Sequence, residues 1–383
     1  MMLQTSFARS STVAFAICFC TVLSTAQTVH VVDDQPGPGV HFTSLTQALA
    51  AASDGDVVLV KPGDHVADPE PSGTGAKLFS IVGKSLDVVA DSGGPVRLRK
   101  GTFSITGLAA NQTVSLVGFD FPDSGLASFA NAGLVQVKDC RFPAFKSGNA
   151  PPTPLRSIYV DETAAFLFED SWLEGYTTST TFGPFPGIGI RASNSNLYLH
   201  DSTVLGGKGL TSKSGYEAVR VDGGSLYASG SLFVGGQAGD WNVFFGSCGD
   251  GGDGLELISG ATAETVSCTI VGGPTGNGCA SGNGQPGQPV DDLDGTHAIT
   301  PATDRGLEVT SPVREGQTAV LVAKGQPTDH VFLLVSNGTA VTPLGTLPGT
   351  LFVDPFGLFV VHLGQIVNTS SEAFPLSLGQ LAP

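Results

Sequence analysis

The chain has 383 residues, with 34 Asp and Glu against 18 Lys and Arg, a formal net charge of −16. So acidic a surface repels nucleic acid and anionic lipid, and repels polyanionic sugars unless a cation bridges them; nucleic-acid partners are excluded. The 52 glycines and 24 prolines make about a fifth of the chain, yet 41% of residues are hydrophobic and only 14% charged, which excludes a disordered chain and points to a turn-dense, β-rich fold.

Residues 1–26 combine Arg9, the short apolar run TVAFAICFCTVLS and the small-x-small end Ser24-Thr25-Ala26. They predict a secretory signal peptide cut after Ala26, and so a secreted or cell-surface protein. Ile17 and Phe19 are too bulky for a lipid-anchor signal at Cys18 or Cys20. No later stretch approaches the roughly 18 apolar residues of a transmembrane span. Cleavage takes Arg9, bringing the charge to about −17, and leaves Cys140, Cys248, Cys268 and Cys279 in an oxidising compartment.

Residues 31–66 read VVDDQPGPGVHFTSLTQALAAASDGDVVLVKPGDHV. Thr43 or Ser44 is placed to cap a short helix whose Leu45, Ala48, Leu49 and Ala52 share one face. A strand follows over Gly55–Val60 and stops at Pro62-Gly63.

From there a short strand with the same punctuation returns: SLDVVADSG (85–93), AFLFEDSWLEGY (165–176), NLYLHDSTVLGG (196–207) and SLYASGSLFVGG (225–236). Aligned on the residue after the break, the copies fall at 119, 140, 171, 202, 231 and 268. One column reads Val114, Val135, Phe166, Leu197, Leu226; a second reads Leu116, Val137, Phe168, Leu199, Ala228; a third, beyond the break, reads Phe121, Phe142, Leu173, Val204, Phe233, Ile270. Period two puts each column on one strand face, and stacking buries it as a ladder that no single copy can bury alone. The break column (Gly118, Asp139, Asp170, Asp201, Gly230, Ser267) suits a partly left-handed corner, and the next (Cys140, Ser171, Ser202, Ser231, Cys268) a crowded inner one. A second strand precedes each later copy: RSIYVDE (156–162), GIGIRAS (187–193), YEAVRVD (216–222) and GLELISG (254–260). The repeat is a β-solenoid of seven to eight coils over 55–280.

At this point the chain resembles the pectin-lyase-like right-handed parallel β-helix superfamily, of the secreted bacterial type, which opens with an Asp/Gly-rich start, an alanine-rich helix and a GDxVxVxPGxY strand. Gly55-Asp56-Val57-Val58-Leu59-Val60-Lys61-Pro62-Gly63 matches, with His65 where an aromatic is usual. The resemblance covers about residues 30–280 and implies a right-handed β-helix over 27–280 with an amino-terminal helical cap. It does not imply one activity, since the superfamily includes lyases, hydrolases and adhesins. Its pectate lyases use a calcium-binding acidic cluster and an arginine base, and its polygalacturonases an aspartate trio in N-x-D, D-D, G-H-G and R-I-K motifs. None of these strings occurs in the solenoid; the two VDD runs, at 32–34 and 290–292, lie outside it.

Residues 281–305 are rich in glycine, proline and acid and read as a linker. Beyond them, 306–383 holds short apolar runs (TAVLVAK, HVFLLVS, LFVVHL) separated by turn signals, which predicts a small antiparallel β-sandwich-like domain. The fold class is all-β throughout.

For catalysis, Arg191, Arg220, Asp161, Asp222 and Glu217 come from neighbouring upstream strands on the outer face of the middle coils and are candidates to cluster there. An arginine base would need its proton loosened far below its usual hold, and the same residues equally read as a solvated row of alternating charges. His200-Asp201 is read as an exposed strand residue beside a corner, its side chains on opposite faces. Asp250 and Asp253 in SCGDGGDGLELI (247–258) resemble one unit of a calcium-binding G-G-x-G-x-D repeat, so Ca2+ is the one cofactor considered; such units normally act in tandem. DDLDG (291–295) has calcium-loop flavour without the full ligand spacing. Trp172, Tyr198, Tyr227 and Trp241 offer aromatic faces to sugar rings, and Tyr198 and Tyr227 are equivalent positions in adjacent coils. Cys140 and Cys268 share a column four coils apart, about 19 Å at about 4.8 Å per coil, beyond disulfide reach. Cys248 and Cys279 lie in Gly-rich loops of adjacent coils and are predicted to bridge. Sequons stand at Asn111, Asn337 and Asn368.

The leading expectation is a non-catalytic secreted or surface protein engaging extracellular carbohydrate or other surface material along one outer face. A divergent polysaccharide lyase or glycoside hydrolase centred on Arg191 and Arg220, and a purely structural surface-array module, stay open beside it.

Overall fold

The computed structural model describes residues 27–68, 77–143, 158–176, 187–209, 213–240, 248–277 and 284–300, and the backbone of seven strands between Gly306 and Ser377. The expected signal peptide, 1–26, lies outside them.

One coil shows the plan. Ile158–Glu169 is a single strand bent at Glu162, and Trp172–Glu174 follows a second bend at Asp170. Each coil thus has a leading side (158–161 here), a middle side (165–169) and a trailing side (172–174). On the middle side ten strands, from Val29–Val32 to Thr296–Thr300, pair parallel one after another. Parallel stacking with the chain passing always through the same three sides makes a parallel β-helix, right-handed as crossovers between parallel strands are.

The ladders read from sequence pair residue to residue. Val114, Val135, Phe166, Leu197 and Leu226 are register partners, as are Phe142, Leu173, Val204, Phe233 and Ile270 on the trailing side. Phe121 stacks on Phe142 with ring centroids 4.1 Å apart. Burying each such side chain contributes about 1.5–3 kcal/mol, and the repetition makes one continuous core.

Both corners run the length of the helix. Gly118, Asp139, Asp170, Asp201, Gly230 and Ser267 all have positive φ, between 45° and 83°. The small column beyond them is a hydrogen-bond ladder: Ser171 Oγ accepts from Cys140 N at 2.9 Å, Ser202 Oγ from Ser171 N at 3.2 Å and Ser231 Oγ from Ser202 N at 3.1 Å. The other corner was not read from sequence. There Gly83, Gly107, Ala130, Glu162, Asn194, Gly223 and Ser259 take the left-handed conformation. Inside it Asn131 Nδ2 donates to Ile105 O at 2.9 Å and Ser128 Oγ at 2.8 Å, satisfying a buried polar group.

The amino-terminal plug is pinned by charge. Ser44 caps Leu45–Ala51, whose Leu45, Ala48 and Leu49 are buried, and Lys84 Nζ donates to Leu49 O and Ala52 O, each at 2.6 Å. Asp56 accepts from Ser53 N at 2.7 Å and Thr28 N at 3.0 Å and meets His30 Nε2 at 3.0 Å. Those hydrogen bonds, His30's first, hold its carboxyl down to about 2.

Two expectations need correction. Residues 281–305 were read as a linker, but Val290–Asp292 pairs with Leu255–Leu257, and Thr296–Thr300 with Thr262–Val266, in parallel register. The helix therefore runs to Thr300; its last coil reads as polar because nothing stacks beyond it among the described residues. The Gly-rich runs, expected as loops, are ordered too. Those leaving the trailing side (206–209, 235–239, 272–276) and those returning to the leading side (213–217, 249–254, 284–289) form two packed layers. Gly236 N donates to Tyr216 O, Gly252 N to Gly236 O and Gly273 N to Gly252 O, at 2.7–2.8 Å. A Cβ on Gly235 would lie 1.9 Å from Gly252 O, and one on Gly251 1.9 Å from Gly273 O. Glycine is required here by close backbone approach.

Beyond the helix, Gly306–Val309, Thr318–Lys324 and Ser371–Ser377 form an antiparallel sheet, and His330–Val335 pairs antiparallel with Phe359–Gln365. No described helix is long and apolar enough to cross a membrane.

Candidate functional site

Two outer faces carry the sequence-predicted residues. On the leading side Tyr159, Arg191, Arg220, Glu256 and Asp291 are register partners in successive coils. Arg191 lies over the Tyr159 ring, its Cζ 5.8 Å from the centroid, and its Nη2 is 3.5 Å from Asp222 Oδ2. Arg220 Nε is 3.0 Å from Glu256 Oε2; both atoms are buried and meet as charges, off hydrogen-bond geometry. Asp161 shares the Ser193–Asp222 column, two coils from Asp222. Glu217 stands just ahead of its strand, its carboxyl pushed up by burial.

Glu256 is the residue that sequence reasoning missed. It is 8% exposed, and burial first, then the charge of Glu217, pushes its carboxyl up to about 7. A carboxyl so placed can hold or release a proton near neutrality. The signal was available, since LELI (255–258) aligned on VRVD (219–222) puts Glu256 in the Arg220 column. The two guanidiniums each face a carboxylate, which favours the charged form, the opposite of what a base requires.

On the middle side the sequence equivalence of Tyr198 and Tyr227 is realised as a direct register pair. They line one side of a groove of about 410 Å³, completed by Ser225, Thr262, Glu264, Thr296 and His297. His297, from the stretch read as linker, hydrogen-bonds Thr265 Oγ1 through Nε2 at 3.0 Å.

The other candidates lie apart. Trp172 faces outward on the trailing side beneath Arg141, whose Cζ is 5.2 Å from its ring centroid. Trp241 lies outside the described residues. Asp250 Oδ1 accepts from Gln285 N at 2.7 Å and Asp253 Oδ1 from Gln288 N at 2.6 Å, tying the next coil's glycine run in place. No group of three or more His, Cys, Asp or Glu among the described residues is placed to hold a metal ion. His200 and Asp201 do meet, at 3.4 Å, because the left-handed backbone of Asp201 turns its side chain toward its neighbour; His200 Nδ1 is also 2.7 Å from Ser229 Oγ. Cys140 and Cys268 are not disulfide-bonded, as their separation requires, and Cys279, the expected partner of Cys248, lies outside the described residues.

No protein-family model matches the sequence, and no curated protein does. Among solved structures the chain is similar to that of pectate lyase Pel9A, at 11% identity and a TM-score of 0.34 over 73% of this chain and 79% of that one. The assignment of the β-helix rests on its own strand register.

Proposed function

We propose that the protein is exported and engages a neutral extracellular polysaccharide, without turning it over, in the groove beside Tyr198 and Tyr227. The observation that carries this reading is the register pair of tyrosines on one wall of an open groove whose remaining lining offers hydroxyls, a carboxylate and an imidazole. Aromatic rings supply an apolar platform with a polar tip, and the other groups supply hydrogen bonds for a hydroxyl-rich ligand. The net charge of −16 disfavours a polyanionic one.

One observation favours a second reading, a divergent polysaccharide lyase or hydrolase on the leading side. Glu256 has the protonation range of an acid or base and stands beside Arg220.

The test is an array of purified polysaccharides probed with the chain from residue 27, with calcium and with chelator, reading retention and released unsaturated or reducing ends. Retention without release, lost in Tyr227→Ala, is expected. Release of product overturns the non-catalytic reading, and its loss in Glu256→Gln would place the chemistry. Retention that needs calcium would bring Asp250 and Asp253 back as ligands.

A further inference from the structure

We propose that the last coil, residues 290–300, docks on the helix in a pH-dependent way set by the Glu256–Asp291 pair, closing one end of the tyrosine groove on the acidic side and loosening it on the alkaline side. The consequence for the groove rests on the polysaccharide reading above; the docking does not.

Asp291 is the register partner of Glu256 in the next coil, so the two residues stand about 4.8 Å apart backbone to backbone with their side chains on the same face of the ladder. Like charges in that relation oppose strand pairing. The groups that act on Glu256 are Arg220 on the preceding coil, Glu217 ahead of that strand, Asp253 on its own run and Asp291 on the last coil, which sets three acids against one cation. The last coil is held by its two strand pairings, by Val290 against the core and by the Thr265–His297 hydrogen bond, at the open end of the described helix. Leu293 and Ile299 are 68% and 72% exposed, and no parallel strand stacks beyond it among the described residues. It also forms the far end of the groove: Val290–Asp292 leads directly into Thr296–Thr300, and Thr296, His297 and Ala298 line the groove, Ala298 two coils beyond Tyr227 in the same column.

The sign follows from where the proton binds more tightly. With the coil docked, burial and the neighbouring acids hold the Glu256 carboxyl near 7; lifting the coil admits water and removes Asp291, letting it fall back toward 4.5. The docked form keeps its proton where the lifted form has lost it. Docking is therefore strongest below about 4.5 and weakens as pH rises from there through about 7. His297 acts in the opposite direction, since burial holds its imidazole below 6.5 and docking then loses strength as pH falls through that value. It is more exposed than Glu256, so the carboxyl dominates.

Amide exchange on the chain from residue 27, corrected for intrinsic rates, tests this at about pH 5 and about pH 8. Peptides covering 284–300 are expected to be about tenfold better protected at the lower pH, with peptides covering 113–117 unchanged, and Glu256→Gln is expected to abolish the difference. Equal wild-type protection at both pH values, or a difference that survives Glu256→Gln, overturns the proposal. If Glu256→Gln does not fold, Asp291→Asn, which removes the neighbouring charge at a half-exposed site and leaves the burial, must narrow the response, and an unchanged response overturns the pair's part in it. Polysaccharide retention is read at the same two pH values. Protection that changes while retention does not overturns the link to the groove. Protection that changes with no retention at either pH overturns the polysaccharide reading and upholds the docking.

Discussion

Arg220 and Glu256 face each other across adjacent coils, Nε to Oε2 at 3.0 Å, and the guanidinium is the one charge that draws the Glu256 carboxyl down against burial and three acids. Arg220→Ala leaves that carboxyl buried with like charges alone. We expect a loss of about 2 kcal/mol near pH 8, where Glu256 must otherwise ionise, and a smaller loss near pH 5, where it is already protonated. Urea denaturation at the two pH values reads the difference, and the double variant Arg220→Ala/Glu256→Gln should recover most of the alkaline loss. Equal losses at both pH values would mean that Arg220 acts by packing its stem and not by its charge.

The glycine layers make a sharper demand on sequence than the core does. Gly235→Ala would set a methyl 1.9 Å from Gly252 O, backbone that cannot yield without shifting the adjoining run. Gly39 has φ of 77° with nothing within 4 Å of a Cβ, so Gly39→Ala tests conformation alone. We expect about 1 kcal/mol for Gly39→Ala and about 3 kcal/mol or more for Gly235→Ala, measured by chemical denaturation. Similar small losses at both positions would show that the layers are loosely packed in solution.

How much of this was legible depends on what each part asks of its residues. The middle and trailing ladders were readable because Val135, Phe166 and Leu197 alternate with polar residues and end on an Asp or Gly corner. The other corner was not, because Ala130, Glu162, Asn194 and Ser259 share a backbone angle and no side-chain chemistry. The glycine layers escaped because close approach asks only for missing side chains, which in sequence looks like a loop. Residues 290–300 were mistaken for a linker because a terminal coil buries little; Thr296, Ala298 and Ile299 are exposed. At the site, the tyrosine pair and the arginine column followed from the repeat, while Glu256 was hidden because its strand, GLELISG, begins at a different point in the coil from YEAVRVD, so that end-to-end alignment takes it out of the Arg220 column.

The same layers bear on the cysteines. Gly284 packs so closely on Cys248 that a Cβ there would lie 3.1 Å from the Cys248 Cβ, and Cys279 stands five residues before Gly284 in the sequence. A Cys248–Cys279 bridge would close a loop of about thirty residues and contribute about 4 kcal/mol. Thiol counting on the chain from residue 27 checks it. Denatured without reductant, the chain should show two thiols, Cys140 and Cys268, and four after reduction. In the folded protein Cys140, whose thiol burial pushes up to about 12, should not react, leaving half-buried Cys268 as the slow site. Non-reducing peptide mapping should recover residues 248 and 279 in one linked fragment. Four thiols without reductant would remove the bridge, and the ordering of these runs would then rest on the glycine hydrogen bonds alone.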